Sequence, residues 1–341
     1  MLLFIFILSS CNRLKIDNIN NNTSIETSID ELISYEKDSF IAPTSNNQNG
    51  IKITYNCNNG FIYESKTNEK NKIIKPITSP SKKASKFTNW YYDEKCSYPV
   101  DFNKEVSIPT TIYAGYETDF IELANMVSED ILYSSIQIIS RYYNSSDTSF
   151  YESSGSGVII SVSDKYYCLT NNHVVYRPNE YRYNKYEIHD SFNNTYNADL
   201  LYYDVNYDLA LLSFDHNGNY QELKPIYFSN SLPNINDLVI SIGNPLKMMN
   251  VVTYGYYEGI KKYTANPDTV YKSNINFNVI HHSAMVKDGS SGGILLDSNL
   301  RLIGINFAAA VNSNNEYEYS YAIPYEKIIE FLNNYIKNVV R

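Results

Sequence analysis

From residue 51 onward, apolar and polar residues alternate in short runs separated by Gly, Asn, Asp and Pro. The run "IKITYNC" stops at Asn58-Asn59-Gly60, and "FIYES" resumes the alternation. A period of two on both sides of Asn-Gly predicts a β-hairpin. Residues 120–143, "FIELANMVSEDILYSSIQIISRYY", change texture and predict a short helix leading into a strand. Between there and residue 324 the alternating runs recur: "GVIISV", "YYCLT", "LALLSF", "DLVISI", "NVVTYGYYEGI", "RLIGINFAAA" and "YSYAI". Many short strands at this spacing predict an all-β sandwich or barrel. The final segment has a different period. "PYEKIIEFLNNYIKNVV" sets Ile328, Ile329, Leu332, Ile336 and Val339/Val340 on one face of a helix that starts near Pro324.

Two segments precede this pattern. Met1-Leu-Leu-Phe-Ile-Phe-Ile-Leu-Ser-Ser-Cys11 opens with an apolar run far too short to span a bilayer and reads as a signal-peptide core. Leu8-Ser9-Ser10-Cys11 resembles a bacterial lipobox, although no Lys or Arg precedes the apolar run. The resemblance implies lipidation at Cys11 and a membrane attachment through it. Residues 11–49 are rich in Asn, Ser, Thr and Asp, and read as a solvated tether.

Composition narrows the function. The 341 residues are 43% hydrophobic, ample for one or two cores, and the net charge is −9. No basic run stands out, which argues against a nucleic-acid partner. The 34 tyrosines follow the same bias toward Tyr, Asn, Ile and Lys that runs through the whole chain, and carry no ligand signal by themselves. Cys57 and Cys96 are candidates to pair outside the cell, whereas Cys168 in "KYYCLT" reads as a buried thiol. No Cys/His spacing suggests zinc, and no cofactor or metal is expected.

The candidate chemistry starts at Lys287-Asp-Gly-Ser-Ser-Gly-Gly-Ile-Leu-Leu296, where two serines sit in a glycine-rich turn. Read as G-x-S-x-G, it fits an α/β-hydrolase elbow, which needs its acid and its His after the serine. All five histidines (His173, His189, His216, His281, His282) precede Ser291, so that reading has no base. A His–Asp–Ser order remains. His173 closes the apolar run "CLTNNHVV", a rigid placement suited to a base, while His189 and His216 lie in polar stretches. His281 and His282 are too close to Ser291 in sequence to face it from another wall. Asp208 opens the apolar run "LALLSF", where a lone carboxylate is costly unless paired, and a His Nδ1–H is its natural partner.

These residues resemble the trypsin-like peptidase family, and within it the HtrA/DegP-like bacterial branch. The matching pieces, in family order, are Gly155-Ser-Gly157, Leu169-Thr-Asn-Asn-His173, Asp208-Leu-Ala-Leu-Leu, Ile242-Gly-Asn-Pro245, Gly289-Ser-Ser291-Gly-Gly, Gly304-Ile-Asn306 and Tyr321-Ala-Ile-Pro324. The resemblance implies two six-stranded β-barrels with a C-terminal helix, and a His173–Asp208–Ser291 triad in the cleft between them. It implies an oxyanion hole from the N–H groups of Gly289 and Ser291, and an apolar substrate pocket at Met285, Phe307 and Ala308. Its partners would be protein or peptide substrates. The PDZ domain usual in HtrA relatives has no counterpart after Pro324 in this sequence. Upstream, Asn59-Gly60, Lys75-Pro76, Phe87/Trp90/Tyr91, Asp101-Phe-Asn103 and Ile112-Tyr-Ala114 resemble an internalin B-repeat, which implies a small β-rich surface module. The expected organisation is a signal peptide over 1–10, a lipidated tether over 11–49, the repeat module over 50–117 and the peptidase domain over 118–341. The expected function is a surface-anchored serine endopeptidase; a non-catalytic surface adhesin on the same scaffold is the alternative.

Overall fold

The computed structural model describes residues 40–144, 150–162, 165–215, 223–314 and 316–339. The signal segment, Cys11, the tether up to residue 39, and His216 lie outside the described residues. The chain divides into two compact units at Met126/Val127.

The first unit carries a four-stranded sheet built from β1 (Lys52–Asn56), β2 (Ile62–Lys66), β3 (Ser85–Tyr91) and β4 (Thr110–Thr118), in the order β2-β1-β4-β3. The hairpin forms where the alternation predicted it: β1 pairs antiparallel with β2, and Asn58 (φ 49°) and Gly60 (φ 95°) take the left-handed turn positions. β1 and β4 run parallel. The core gathers Phe40, Ile53, Tyr55, Ile73, Trp90, Val100 and Ile112. The Trp90 ring stands edge-on to Tyr55 at 5.4 Å and to Phe87 at 5.8 Å. Phe87 and Trp90 are three residues apart, so a regular strand would send them to opposite faces; a bulge in the β3–β4 pairing between Phe87 and Asn89 brings them together. Tyr91 therefore does not join them, and its ring lies over Gly115 instead. Cys57, fully buried, and Cys96 form no disulfide with each other, and Cys96 Sγ faces the Ala114 carbonyl at 3.9 Å. The helix α1 (Phe120–Met126) ends this unit.

The second unit holds two closed six-stranded barrels. The first consists of β5 (Ser135–Tyr143), β6 (Phe150–Val162), β7 (Lys165–Thr170), β8 (Tyr183–His189), β9 (Thr195–Asp204) and β10 (Leu209–Phe214). A one-turn helix, α2 (Asn172–Val175), follows β7. The second barrel consists of β11 (Leu238–Gly243), β12 (Val251–Lys262), β13 (Asn278–His282), β14 (Ile294–Leu296), β15 (Leu302–Val311) and β16 (Tyr317–Pro324). Each barrel has its own core. Ile136, Ile138, Ile159, Cys168, Ile188 and Leu212 meet in the first; Val239, Ile280, Ala284, Leu295, Ile303 and Ala322 meet in the second. Closure explains why so many runs look uniformly apolar, since a closed sheet leaves no open edge. Cys168 is the buried thiol the sequence predicted, and burial pushes its pKa far up.

The terminal helix α3 (Tyr325–Val339) begins directly after Pro324, as expected, but its buried face is turned. Ile328, Phe331, Leu332 and Tyr335 are buried, while Ile329 and Ile336 are only half-buried. The side chains of Val339 and Val340 lie outside the described residues. The rotation follows the aromatic rings: Phe331 and Tyr335 pack on Tyr202 of β9 at 5.1 and 5.8 Å, and Tyr335 also meets Tyr167 of β7 at 6.2 Å. Large aromatic area outweighs the β-branched residues that the periodicity favoured.

Trp90 is the single tryptophan of the chain, so its fluorescence reports on the first unit alone. Ile53→Ala, at a position with no solvent exposure, should destabilise that unit by about 2–5 kcal/mol. The urea midpoint of the Trp90 transition is expected to fall accordingly.

Candidate active site

The first barrel presents an imidazole and a carboxylate as a matched pair. β7 delivers Asn171, Asn172 and His173 at the start of α2, and the tight turn from β9 into β10 delivers Asp208. Asp208 is fully buried and holds a left-handed φ of 51°. That conformation is costly for a residue with a Cβ. It is held by its own carbonyl, which accepts from Asn172 N–H at 3.1 Å and from Asn171 Nδ2 at 3.0 Å. The carboxylate spends both oxygens on one residue: Oδ1 accepts from the His173 backbone N–H at 2.9 Å, and Oδ2 lies 2.7 Å from His173 Nδ1. A carboxylate can only accept, so Nδ1 carries the proton and Nε2 of the neutral ring presents a lone pair. The two-point grip fixes both the orientation and the tautomer of the ring.

The second barrel presents the serine turn between β13 and β14. Gly289 (φ 92°) and Gly292 (φ 84°) bracket Ser290 and Ser291. A Cβ at Gly292 would run into the Ser156 carbonyl and Thr170 Oγ1, so the turn is pressed directly against the first barrel, three residues from His173. Ser156 on β6 stitches it there. Its N–H donates to Ser291 O at 2.8 Å, and its hydroxyl donates to Gly289 O at 2.7 Å while accepting from Asn244 N–H at 2.8 Å. Asn306 on β15 holds the far side, accepting from Gly292 N–H at 2.8 Å and donating to Gly293 O at 2.9 Å. Leu246 N–H donates to Asp288 O at 3.0 Å. In a trans peptide the N–H points opposite to the carbonyl, so Gly289 N–H faces away from Leu246. Among the described residues, neither Gly289 N–H nor Ser291 N–H has an acceptor. Two unspent donors beside one hydroxyl form a site suited to a developing oxyanion.

The Ser291 hydroxyl donates to Phe307 O at 3.4 Å and makes no hydrogen bond to His173. Nucleophile–base bonds are commonly long or poorly aligned before substrate is bound. The three residues expected to line a substrate pocket differ in placement. Met285 and Ala308 are half-buried, but the Phe307 ring is buried edge-on to Tyr263 at 5.0 Å and stacked on Tyr321 at 6.2 Å. Phe307 thus backs this wall and presents its carbonyl.

His189 is half-buried on β8 and contacts Thr195 Oγ1 at 3.1 Å. His281 is buried against Tyr319, with ring centroids 4.4 Å apart, and its Nε2 lies 3.0 Å from Lys261 Nζ. His282 is fully buried, with Nε2 3.1 Å from Asn306 Oδ1. The sequence reading gave no role to Ser156, Asn244 or Asn306, although each lies inside a matched motif. Their signal was a polar side chain in a glycine-bearing apolar run.

Residues 155–305 match the model of the trypsin-like peptidase domain, and residues 52–115 match that of the Listeria-Bacteroides repeat domain. The second match is only loosely related to the internalin repeats expected from the sequence. The chain is 32% identical over 170 residues to a probable periplasmic serine protease do/HhoA-like of Haemophilus influenzae, covering 50% of this chain and 34% of that protein. It is 31% identical over 186 residues to the serine protease Do-like HtrB of Bacillus subtilis, covering 54% and 38%. It is 31% identical over 185 residues to the periplasmic serine endoprotease DegP of Escherichia coli, covering 54% and 34%. The chain therefore spans about a third of the length of the curated relatives it matches. Two closed six-stranded barrels followed by a helix are the trypsin-like fold.

Burial pushes the His282 pKa from 6.5 down to about 3; the hydrogen bond with Asn306 pulls it up by less, and the neighbouring His281 adds a still smaller downward push. The unfolded chain therefore binds a proton that the fold refuses. This stability is fully present above the unfolded pKa and is lost as pH falls toward the folded one. Between pH 7 and pH 5 the loss from this group should be about 2 kcal/mol. Urea midpoints of the second unit should fall over that interval, and His282→Gln should flatten the fall.

Proposed function

We propose that this chain is a serine endopeptidase in which His173, Asp208 and Ser291 form a catalytic triad. The observation that carries the reading is the two-point grip of Asp208 on His173. It leaves Nε2 as the basic atom of a half-exposed ring beside a serine turn with two unspent N–H donors. Ser291 Oγ attacks the scissile carbonyl carbon while His173 Nε2 takes its proton, and Asp208 stabilises the imidazolium. The tetrahedral oxyanion is held by the N–H groups of Gly289 and Ser291. Collapse passes the proton to the leaving amine and leaves an acyl ester on Ser291. Water then attacks that ester through the same base.

The proposed setting is the extracellular face of a bacterial membrane. Residues 1–10 would be the signal peptide, Cys11 the lipid anchor and 11–49 the tether. The module over 50–117, read as an internalin B-repeat relative, would serve as spacer or adhesive unit for a peptidase domain over 118–341. Protein or peptide substrates follow from the chemistry, with no nucleic-acid partner. The alternative, a binding scaffold without catalysis, is disfavoured because a buried carboxylate spent wholly on one histidine, backbone and ring, serves no binding role.

Ser291→Ala should abolish labelling by a fluorophosphonate probe and lower peptide turnover by about 10⁴-fold or more. Asp208→Asn should lower turnover by about 10⁴-fold with the fold intact. Wild-type labelling no faster than that of Ser291→Ala would favour the scaffold reading. Half-buried Met285 and Ala308 support an apolar substrate pocket. A peptide-library profile should therefore favour aliphatic or small residues at the cleaved position, and dominance by Lys or Arg would refute this.

A further inference from the structure

We propose that His282 is a positioning residue for the nucleophile, acting through Asn306; this rests on the reading of Ser291 as the nucleophile. Asn306 is fully buried and every one of its polar atoms is engaged. Its main chain holds the Gly292 and Gly293 peptides, one and two residues beyond Ser291. Its Nδ2 donates to Ser241 Oγ at 2.9 Å and to Ile294 O at 3.0 Å. A backbone carbonyl can only accept, so Ile294 fixes which end of the amide is nitrogen, and Oδ1 must face His282. That oxygen in turn can only accept, so His282 supplies an Nε2–H, 3.1 Å away. The ring is thereby confined to one neutral tautomer, with a bare Nδ1 that has no partner among the described residues.

The geometry carries this contact to the reacting atom from two sides. Asn306 precedes Phe307, whose carbonyl receives the Ser291 hydroxyl, and its own carbonyl receives Gly292 N–H. A shift of Asn306 moves both the acceptor of the serine hydroxyl and the peptide that follows the serine. Without the His282 donor, Oδ1 is a buried acceptor with nothing to accept from. Leaving one member of a buried pair unsatisfied costs more than the pair contributes. The amide then turns toward another donor and releases Ile294 O. Met285 is hydrogen-bonded outside this network, its carbonyl accepting from Thr253 Oγ1 at 2.9 Å, so the loss should fall mainly on acylation and less on substrate binding.

The test uses the full chain, a fluorophosphonate probe and a fluorogenic peptide. His282→Leu should acylate about tenfold more slowly and lose kcat to the same degree, with KM changed by less than about twofold. His282→Gln, whose amide can donate to Asn306 Oδ1, should restore most of the rate. A folded His282→Leu that acylates at the wild-type rate would overturn the inference, as would a loss that His282→Gln does not recover. Should His282→Leu fail to fold, the comparison moves to Ser241→Ala, which removes one acceptor of the same amide at little cost in volume. A several-fold drop in acylation there supports the inference, and an unchanged rate overturns it. A wild-type chain that labels no better than Ser291→Ala overturns the reading of function and this inference together. A labelled wild type matched by His282→Leu overturns the inference alone.

Discussion

The contact on which the second unit depends is that between Ser156 and the serine turn. Each barrel closes on itself, so nothing in either sheet dictates where the other barrel sits. Ser156 supplies the part of that constraint nearest the serine with three hydrogen bonds: N–H to Ser291 O, hydroxyl to Gly289 O, and Asn244 N–H to the same hydroxyl. Ser156 itself is fully buried, where a hydrogen bond is electrostatically stronger than in water and its loss is expensive. Thr170 Oγ1 donates to Ser156 O at 2.6 Å, which ties the strand that carries His173 to the same point. The imidazole and the serine turn are thus referred to one residue of β6, although neither shares a strand with it.

The two halves of the proposed site are stiffened by different means. The acid–base half relies on strain and saturation: Asp208 sits at positive φ, at a cost of about 1 kcal/mol, and both carboxylate oxygens and the carbonyl are bound. Such a carboxylate cannot rotate without abandoning several bonds at once. The nucleophile half relies on glycine. Gly289 and Gly292 take conformations closed to other residues, and Gly292 leaves room for the Ser156 carbonyl to approach. With His173 held by Asp208 and the Ser291 carbonyl held by Ser156, the freedom left to the proposed triad is the rotation of the Ser291 hydroxyl. That is the coordinate a triad must keep adjustable.

Much of this was legible in the chain. The alternating runs marked the strands, the hairpin at Asn59-Gly60 formed where its turn residues placed it, and the order of His173, Asp208 and Ser291 excluded an α/β-hydrolase before any coordinates. The His173–Asp208 contact followed from a single consideration, that a carboxylate opening an apolar strand needs a partner. What stayed hidden was of two kinds. Packing rotations were one: the β3 bulge that separates Tyr91 from Phe87 and Trp90, and the turned face of α3, depend on rings from distant strands. The backbone was the other. The N–H groups of Gly289 and Ser291 were expected only through the family resemblance, and the carbonyls held by Ser156 and Leu246 have no letter in a sequence. Asn and Ser inside glycine-bearing runs were their only trace.

The loop after β11 carries the remaining weight of the site. Leu246 (φ 52°) and Lys247 (φ 63°) both occupy the left-handed region, which neither side chain favours. A relaxed loop would point the Leu246 N–H elsewhere and free the Asp288 carbonyl to turn, taking Gly289 N–H with it. The strain persists because the loop is over-determined from the first barrel. Asn244 Nδ2 donates to Ile136 O on β5 at 2.8 Å, Asn244 Oδ1 accepts from Asn250 N–H at 2.8 Å, and Lys247 Nζ meets Glu152 Oε1 on β6 at 2.6 Å. The Lys247 pair is partly exposed and contributes little by itself; the buried Asn244 bonds do most of the holding. The direction of the Gly289 N–H, the proposed oxyanion donor of the second barrel, therefore depends on a carbonyl of the first.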